Sequence, residues 1–479
     1  MSNWESVIGL EIHVQLLTKS KIFSSSSTKY GATPNQQASY VDLGMPGTLP
    51  ILNELVIKKA VEFGLAINGR IANKSIFARK NYFYPDLPKN YQISQLDLPI
   101  VEGGHIYINN ADGDKKKINI LRAHLEEDAG KSIHSSKENC SFIDLNRAGT
   151  PLLEIVSEPD LRSANEAIQY MKKIHDIVTF LGISDGNMQE GSFRCDANVS
   201  IKRFDESKLG TRTELKNINS FKFVEKAINF EIERQIDLVE EGSQVIQETR
   251  LYDENKNVTK SMRSKEEAND YRYFPDPDLL PIEINEKFID SIKKNMSMLP
   301  DEKRQEYENK YDLNTEQINI LINNSDISNF VDKIFDTSKI SPVKIMNYFI
   351  SSVYLKINKG NTKIEDLKIS PKDFSKIIDA IEQQEVSKGS LKLIVDKICE
   401  EEDSIENIIR ECSNMQGDIQ ENLKDIIVSI INDNPKQVAD YKKGKTKIIG
   451  FFVGQVLKNS QGADPGSVKD EIIKLLDEI

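Results

Sequence analysis

Two segments of this chain alternate between apolar and polar residues: VIGLEIHVQL (7–16) and RCDANVSIK (194–202). Successive side chains of a β-strand point to opposite faces, so a period of two predicts strands with one buried and one polar face. The polar positions hold Glu11 and His13 in the first segment and Asp196 in the second. The chain is therefore expected to contain a sheet whose polar face carries carboxylates and an imidazole.

Further carboxylates lie in segments with the same strand character. LLEIVSE places Glu154 among apolar neighbours, TRTELKN carries Glu214, and HLEEDAGKS contains the adjacent acids Glu126 and Glu127. Same-face residues two positions apart lie roughly 6–7 Å apart along a strand, close enough to share a metal ion. Carboxylates with one imidazole suit hard or borderline divalent ions, and an ATP-using site needs Mg²⁺. The alternative is that these acids only keep a strand face soluble.

A basic and aromatic segment, RKNYFYPDLPKNY, lies between these strands. Arg79 and Lys80 stand beside Tyr82, Phe83 and Tyr84. Basic groups interleaved with aromatic rings can hold phosphates and stack a nucleotide, which makes Arg79 and Lys80 candidates for cofactor binding. An aromatic loop packed on the sheet is an equally good explanation of the composition.

The distribution of residue types predicts an α+β fold followed by helical regions. Glycine is concentrated in the first half and all five histidines precede residue 176, whereas the later half is rich in Ile, Leu, Lys and Glu at helical spacing. We expect a domain over 1–292, a helical domain over 293–405 and a helical tail over 406–479. The first domain should contain helices beginning at Ser163 and ending at Gly182, and over 220–241.

Charge, hydropathy and cysteine usage exclude several classes of protein. The net charge of −12 speaks against indiscriminate nucleic-acid binding, so no DNA partner is expected, although local basic patches can still bind tRNA. No apolar run approaches the ~20 residues of a membrane helix, and the amino terminus lacks the features of a targeting peptide, which predicts cytoplasmic residence. The four cysteines form no Cys-x-x-Cys pair, so no structural zinc is expected.

A series of long segments resembles the signature sequences of one protein family. These segments are GLEIHVQL, DLGMPGTLP, RKNYFYPDLPKNYQIS, HLEEDAGKS, DLNRAGTPLLEIVSEPD, EGSFRCDANVSI, TELKNINSF, DYRYFPDPDLLP and YKKGKTKIIGFFVGQVLK. In sequence and in order they are similar to GatB, the family of B subunits of aspartyl/glutamyl-tRNA(Asn/Gln) amidotransferases. The resemblance extends over the whole chain.

The resemblance implies an architecture, a reaction and partners. The fold would be a cradle-like α+β domain with an antiparallel sheet, a helical domain and a small YqeY-like helical tail that binds tRNA. With ATP and Mg²⁺, the family phosphorylates the side-chain carboxylate of a misacylated Glu-tRNA(Gln) or Asp-tRNA(Asn). Ammonia from the GatA glutaminase subunit then displaces the phosphate, and a GatC subunit completes the heterotrimer. The choice of tRNA depends on the synthetases that the organism has.

Carried over by motif, the family's catalytic and metal-binding positions coincide with the polar strand faces. They fall on Glu11, His13, Glu127, Glu154, Asp196 and Glu214. The HLEED motif alone does not separate Glu127 from its neighbour Glu126, and Glu127 is the expected ligand. Some family members also bind zinc through cysteine pairs that this chain lacks.

Two other functions are compatible with the residues alone. The chain could be a non-catalytic tRNA-binding scaffold, whose acidic strand face would support no ATP hydrolysis. It could also be a free-standing carboxylate–amine ligase for a small molecule, which the long, lysine-bearing C-terminal half disfavours because a small substrate would not require it.

Overall fold

The computed structural model describes residues 3–110, 113–135, 140–264, 271–360, 362–400, 403–459 and 465–478. The chain divides into two compact units, Met1–Glu302 and Lys303–Ile479. The first unit contains the strands and the second is helical, which confirms the expected α+β class. The three-part division at 292 and 405 remains a prediction.

The strands of the first unit vary in length from two residues to thirteen. They are β1 Trp4–Gln15, β2 Arg70–Ile71, β3 Lys74–Ser75, β4 Ala78–Asn81, β5 Tyr91–Ser94, β6 Val101–Glu102, β7 His105–Asn109, β8 Lys115–Glu127, β9 Lys131–His134, β10 Ser141–Asp144, β11 Pro151–Ser157, β12 Phe193–Arg203, β13 Thr213–Lys216, β14 Glu248–Asp253, β15 Val258–Ser264, β16 Phe274–Pro275 and β17 Ile282–Glu283.

One large sheet organises the first unit. Its strands follow the order β15-β14-β13-β12-β1-β11-β8-β6-β2, and β7 pairs with β8. Among the described strands every pairing in this sheet is antiparallel except β13 with β14. The long strand β1 lies near the middle, with β11 on one side and β12 on the other. Smaller sheets join β16-β4-β5, β9-β10 and β3-β17.

Helices cover the apolar face of this sheet. They are α1 Glu54–Ala66, α2 Ala164–Phe180, α3 Phe221–Glu240 and α4 Glu286–Asn295. Alternate residues of β1, from Ile8 to Val14, are at most 1% exposed and belong to the hydrophobic core that α1, α2 and α3 complete. The polar side chains of β1 lie on the opposite face of the sheet, away from this hydrophobic core, where they can bind a ligand.

The helices α2 and α3 begin and end where their sequences predict. The Ser163 hydroxyl accepts a hydrogen bond from the Glu166 amide, and Gly182 follows the end of α2 with φ +63°. The Ser220 side chain caps α3 in the same way, and Gly242 lies beyond its end with φ +81°. At the start of each helix a serine hydroxyl accepts a hydrogen bond from a backbone amide that has no partner within the helix. After the end of each helix a glycine adopts the left-handed conformation at no steric cost.

The second unit is built from helices around two hydrophobic clusters. One cluster contains described buried residues between Tyr307 and Cys412, and the other contains those between Leu423 and Leu476. The α-helices from the end of the first unit onward are α5 Pro300–Lys310, α6 Thr315–Ile322, α7 Ser325–Phe335, α8 Pro342–Phe349, α9 Leu355–Gly360, α10 Pro371–Glu382, α11 Leu391–Glu400, α12 Ile405–Asp433, α13 Pro435–Lys442, α14 Ile449–Asn459 and α15 Pro465–Glu478. Helix α12 contributes residues to both clusters.

Shorter helical segments connect some of these helices. They are a π-helix at Ile350–Tyr354 and 3₁₀ turns at Ile364–Asp366, Lys388–Ser390 and Thr446–Ile448. Within the described part of the chain, no helix combines the length and apolar character that a membrane crossing requires.

Candidate cation-binding site

The strand register lines up polar side chains across the middle of the large sheet. His13 on β1 pairs with Glu154 on β11, which pairs with His124 on β8. On its other side His13 pairs with Arg194 on β12. Directly paired residues of an antiparallel sheet lie on the same face. This row therefore joins segments that are separated in sequence by up to about 180 residues.

The first cluster on this face contains His13, Glu126 and Glu154. Their ligand atoms all lie within 4.8 Å of one another. His13 Nε2 is 3.3 Å from Glu154 Oε2 and 3.9 Å from Glu126 Oε1. Glu126 reaches the cluster because it follows His124 by two positions on β8 and so shares its face.

The second cluster contains Glu11, Asp196 and Glu214, whose ligand atoms also lie within 4.8 Å of one another. Glu11 on β1 pairs directly with Asp196 on β12, and Glu214 on β13 pairs with Asn198. Asn198 Nδ2 donates a hydrogen bond of 2.9 Å to Glu11 Oε1. The Lys216 ammonium binds Asp196 and lies 3.2 Å from Glu214 Oε1.

Positive charges balance the carboxylates of the first cluster. Burial alone would lower the pKa of His13, but its hydrogen bond with Glu154 and the negative charges around it raise that pKa to about 9. Burial and the nearby Glu154 charge raise the pKa of Glu126 to about 7. Burial would also raise the pKa of Glu154, but the two neighbouring imidazoles hold it well below its usual range. Cation binding here would have to displace the His13 proton.

The second cluster is balanced by a lysine. Burial and the charges of Glu154, Glu214 and Asp196 raise the pKa of Glu11. Burial disfavours the charged form of Lys216, yet Asp196 and Glu214 outweigh it and raise the pKa of the ammonium group. The carboxylates of this cluster thus favour a bound positive charge.

The two candidate phosphate-binding residues, Arg79 and Lys80, have different surroundings. Arg79 is held by Asp276 (Nε to Oδ2, 2.7 Å) and Asp278 (Nη2 to Oδ2, 2.9 Å), and its guanidinium stacks on Tyr91 at 4.2 Å. These contacts use two of the five N–H groups of the Arg79 guanidinium. Lys80 instead lies 4.9 Å from the centre of the Tyr271 ring. No hydrogen bond or ion pair joins the Lys80 ammonium to another residue in the described ranges. The charges of Glu126 and Glu154 contribute to raising its pKa against the effect of burial.

Comparisons with known proteins cover nearly the entire chain. Residues 6–290 match the GatB/GatE catalytic domain family and residues 329–476 match the GatB domain family. The chain belongs to the GatB family. The B subunit of the aspartyl/glutamyl-tRNA(Asn/Gln) amidotransferase from Alkalilimnicola ehrlichii is 52% identical over 475 residues, which is 99% of each chain. The proteins of the same name from Nitrosococcus oceani and Coxiella burnetii are each 50% identical, over 98% and 99% of this chain and 99% and 100% of their own lengths.

One ligand expected from the GatB motifs has to be replaced. Glu127 does not face either cluster: its carboxylate binds the Lys89 ammonium and accepts a 2.9 Å hydrogen bond from the Ile93 amide. Adjacent residues of β8 point to opposite faces of the sheet, and Glu126 is the one that reaches His13. We therefore replace Glu127 with Glu126 in the candidate set and keep Glu11, His13, Glu154, Asp196 and Glu214.

The structure also adds a second imidazole to the site. His124 Nε2 lies 3.5 Å from Glu154 Oε2, and its Nδ1 accepts a 3.4 Å hydrogen bond from Arg122 Nε. Burial lowers the pKa of His124 to about 4, and the charges of Arg122, His13 and Lys80 act in the same direction, which favours the neutral ring. The signal that identifies it in the sequence is its position two residues before Glu126, on the same strand face.

Proposed function

We propose that this chain is the subunit that activates and amidates the misacylated amino acid in a tRNA-dependent amidotransferase. The substrate would be Glu-tRNA(Gln), Asp-tRNA(Asn) or both, and the activating agent would be ATP. The observation that carries the proposal is the pair of neighbouring carboxylate clusters on one sheet face. The names of the relatives support the reaction class, because each of them is the B subunit of an aspartyl/glutamyl-tRNA(Asn/Gln) amidotransferase.

The side chains of both clusters fit Mg²⁺. Their donors are carboxylates and one imidazole, and a His13 proton and the Lys216 ammonium already supply positive charge at these positions. Mg²⁺ is usually held by a few carboxylates together with water and substrate phosphates. When bound, the ion would neutralise phosphate oxygens of ATP and help to align the reacting groups. His13, Glu126 and Glu154 would hold it in one cluster, and Glu11, Asp196 and Glu214 in the other.

Other residues of the site would orient the substrates. The Lys80 ammonium has no ion-pair partner among the described residues and would attract a phosphate or the aminoacyl carboxylate. His124 would orient the Glu154 carboxylate through its Nε2–H, in the way that groups behind metal ligands commonly do. The buried surroundings of Glu126, which is 3% exposed, would limit hydrolysis of the acyl phosphate.

Partner subunits would supply the ammonia. We propose that a GatA glutaminase releases it from glutamine and that a GatC subunit joins the two, as the resemblance to GatB proteins implies. The helical tail would hold the tRNA. Its segment Lys442–Lys447 exposes four lysines, and such side chains commonly bind the phosphates of a nucleic-acid backbone.

A single-turnover assay tests the proposal. The assembled complex is mixed with misacylated tRNA, Mg²⁺ and γ-labelled ATP, while glutamine and ammonia are withheld. We expect label to leave ATP only when the tRNA is misacylated, and we expect Asp196→Ala to abolish this transfer while the partner continues to hydrolyse glutamine. If tRNA binds but ATP stays intact in the wild-type complex, the chain is a scaffold. Transfer that occurs equally well without tRNA would instead indicate a small-molecule ligase.

A further inference from the structure

A buried ion pair borders the two carboxylate clusters. Asp128 follows the last residue of β8 and is 4% exposed. Arg194 is the second residue of β12 and pairs with His13 across the sheet. Its Nη1 donates a 3.3 Å hydrogen bond to Asp128 Oδ1, and its Nη2 lies 3.1 Å from Oδ2 of the same carboxylate. Such a contact fixes the orientation of the guanidinium plane as well as its position.

The Asp128 carboxylate is itself held firmly. Gln15 Nε2 donates a 3.0 Å hydrogen bond to its Oδ2, and Arg147 Nε lies 3.6 Å from the same oxygen. The Asp128 amide donates to the Thr150 carbonyl at 2.8 Å, and the Asp128 carbonyl accepts from Gly149 at 2.9 Å. The Ala129 amide also donates a 3.0 Å hydrogen bond to its Oδ1, so this carboxylate has other partners besides Arg194.

The remaining donors of Arg194 are available to a ligand. A guanidinium carries five N–H groups, of which Nη1 donates one to Asp128 while Nη2 lies 3.1 Å from the same carboxylate. Across the part of the chain that the structure describes, the guanidinium of Arg194 makes no hydrogen bond or ion pair with any residue other than Asp128. Its side chain is 32% exposed, and it shares the polar face of β12 with Asp196. The donors thus lie on the face where both clusters meet.

We infer that Arg194 is a catalytic residue that donates hydrogen bonds to the phosphoryl group during its transfer, and that Asp128 positions it. This inference rests on the proposed function. In that reaction a carboxylate oxygen of the aminoacyl group forms a bond to the γ-phosphorus of ATP. The bond from that phosphorus to the β–γ bridging oxygen breaks, and ADP leaves with the electron pair. Arg194 transfers no proton, and stabilises the charge on the non-bridging oxygens.

Substitution with chemical rescue tests this role. We expect Arg194→Ala to slow the single-turnover transfer of label from γ-labelled ATP by about 10²-fold or more. Added guanidinium should restore part of the lost rate, since it can occupy the vacated position beside Asp128. Arg194→Lys keeps the charge but loses the planar fork, and it should remain slow by at least about tenfold. Arg203→Ala, at the exposed end of the same strand, is the matched control and should transfer label at the wild-type rate.

Two further measurements separate catalysis from structure. Mn²⁺ affinity and thermal unfolding of the Arg194→Lys complex should equal those of the wild type. The inference would be overturned in favour of a structural ion pair by two results together. Arg194→Lys would lose enough Mn²⁺ affinity or thermal stability to account for its slower transfer, and guanidinium would fail to rescue Arg194→Ala. Full-rate transfer by both variants would also overturn it and leave the proposed function intact. Loss of transfer in the wild-type complex would refute the proposed function, and this inference with it.

Discussion

The adjacent acids Glu126 and Glu127 provide a sharp test of the site, because one substitution at each should have opposite consequences. Both carboxylates are 3% exposed and both belong to β8. Glu126 lies with His13 and Glu154, whereas Glu127 binds Lys89 and the Ile93 amide. We compare Glu126→Gln with Glu127→Gln, which conserve size and remove a single charge.

Glu127→Gln should destabilise the first unit. The amide oxygen can still accept the hydrogen bond from Ile93, but the Lys89 ammonium, whose side chain is only 10% exposed, loses its counter-charge. Leaving one member of a buried pair uncompensated costs about 3–5 kcal/mol when the other is removed, and the conserved hydrogen bond reduces this. We expect a loss of about 2–4 kcal/mol in the free energy of unfolding. Cation affinity should change little.

Glu126→Gln should not lower the free energy of unfolding of the metal-free chain, in contrast to Glu127→Gln. Burial and Glu154 raise the pKa of Glu126 to about 7, so the folded state binds its proton more tightly than the unfolded state does. Ionisation of Glu126 therefore lowers the free energy of unfolding. This loss is absent at pH values well below the pKa of Glu126 in the unfolded chain and is fully present at pH 8. Removing the carboxyl charge should therefore leave stability at pH 8 unchanged or raise it by about 1–3 kcal/mol. The same change should greatly weaken Mn²⁺ binding and abolish label transfer from ATP.

Urea denaturation at pH 8 without metal, followed by tryptophan fluorescence, gives the stability of the first unit. The chain has one tryptophan, Trp4, which lies in β1 and reports on the sheet. Mn²⁺ titration and single-turnover transfer complete the comparison. Should Glu127→Gln lose Mn²⁺ affinity while Glu126→Gln keeps it, the assignment of the two faces of β8 would be refuted.

Three other perturbations have defined outcomes. Asp42→Asn leaves the fully buried Lys21 ammonium, now 3.3 Å from Asp42, without its counter-charge, and urea denaturation should show a loss of about 3–5 kcal/mol. Lys80→Met should slow label transfer from ATP by at least about tenfold in single-turnover kinetics without altering the unfolding midpoint, because this ammonium has no ion pair among the described residues to lose. Substituting the exposed Lys443 and Lys447 together by alanine should lower the slope of log Kd for tRNA against log salt by roughly 1–2, whereas an unchanged slope would exclude phosphate contacts there.

The polar sheet face was predictable from local sequence because a strand fixes its own alternation. Glu11, His13 and Asp196 share that face as their positions in β1 and β12 require. Their grouping into clusters was not predictable in the same way. It depends on β11, β1 and β12 being neighbours in a particular register, which is a long-range property of the chain. The resemblance to GatB proteins brought most of these positions into one candidate set, and the structure divides them into two clusters.

Two expectations about the site depended on distant residues. The HLEED segment does not alternate, and both Glu126 and Glu127 are buried. Lys89, which precedes β5, and Ile93, which lies in it, bind the carboxylate of Glu127 on the side of β8 opposite to Glu126. The motif alone therefore does not show which of the two acids faces the polar side of the sheet. The sequence also did not show that Asp276, almost two hundred positions away, accepts a hydrogen bond from Arg79, whose binding to phosphate remains a prediction.

The central claim is that the polar face of the large sheet binds divalent cations between its carboxylates. Crystals of the complex soaked with Mn²⁺ and measured for anomalous scattering test it most directly. The claim predicts anomalous peaks at the cluster of His13, Glu126 and Glu154 and at the cluster of Glu11, Asp196 and Glu214. Peaks that lie only elsewhere, or a sheet face that stays free of Mn²⁺ at concentrations that support activity, would contradict it.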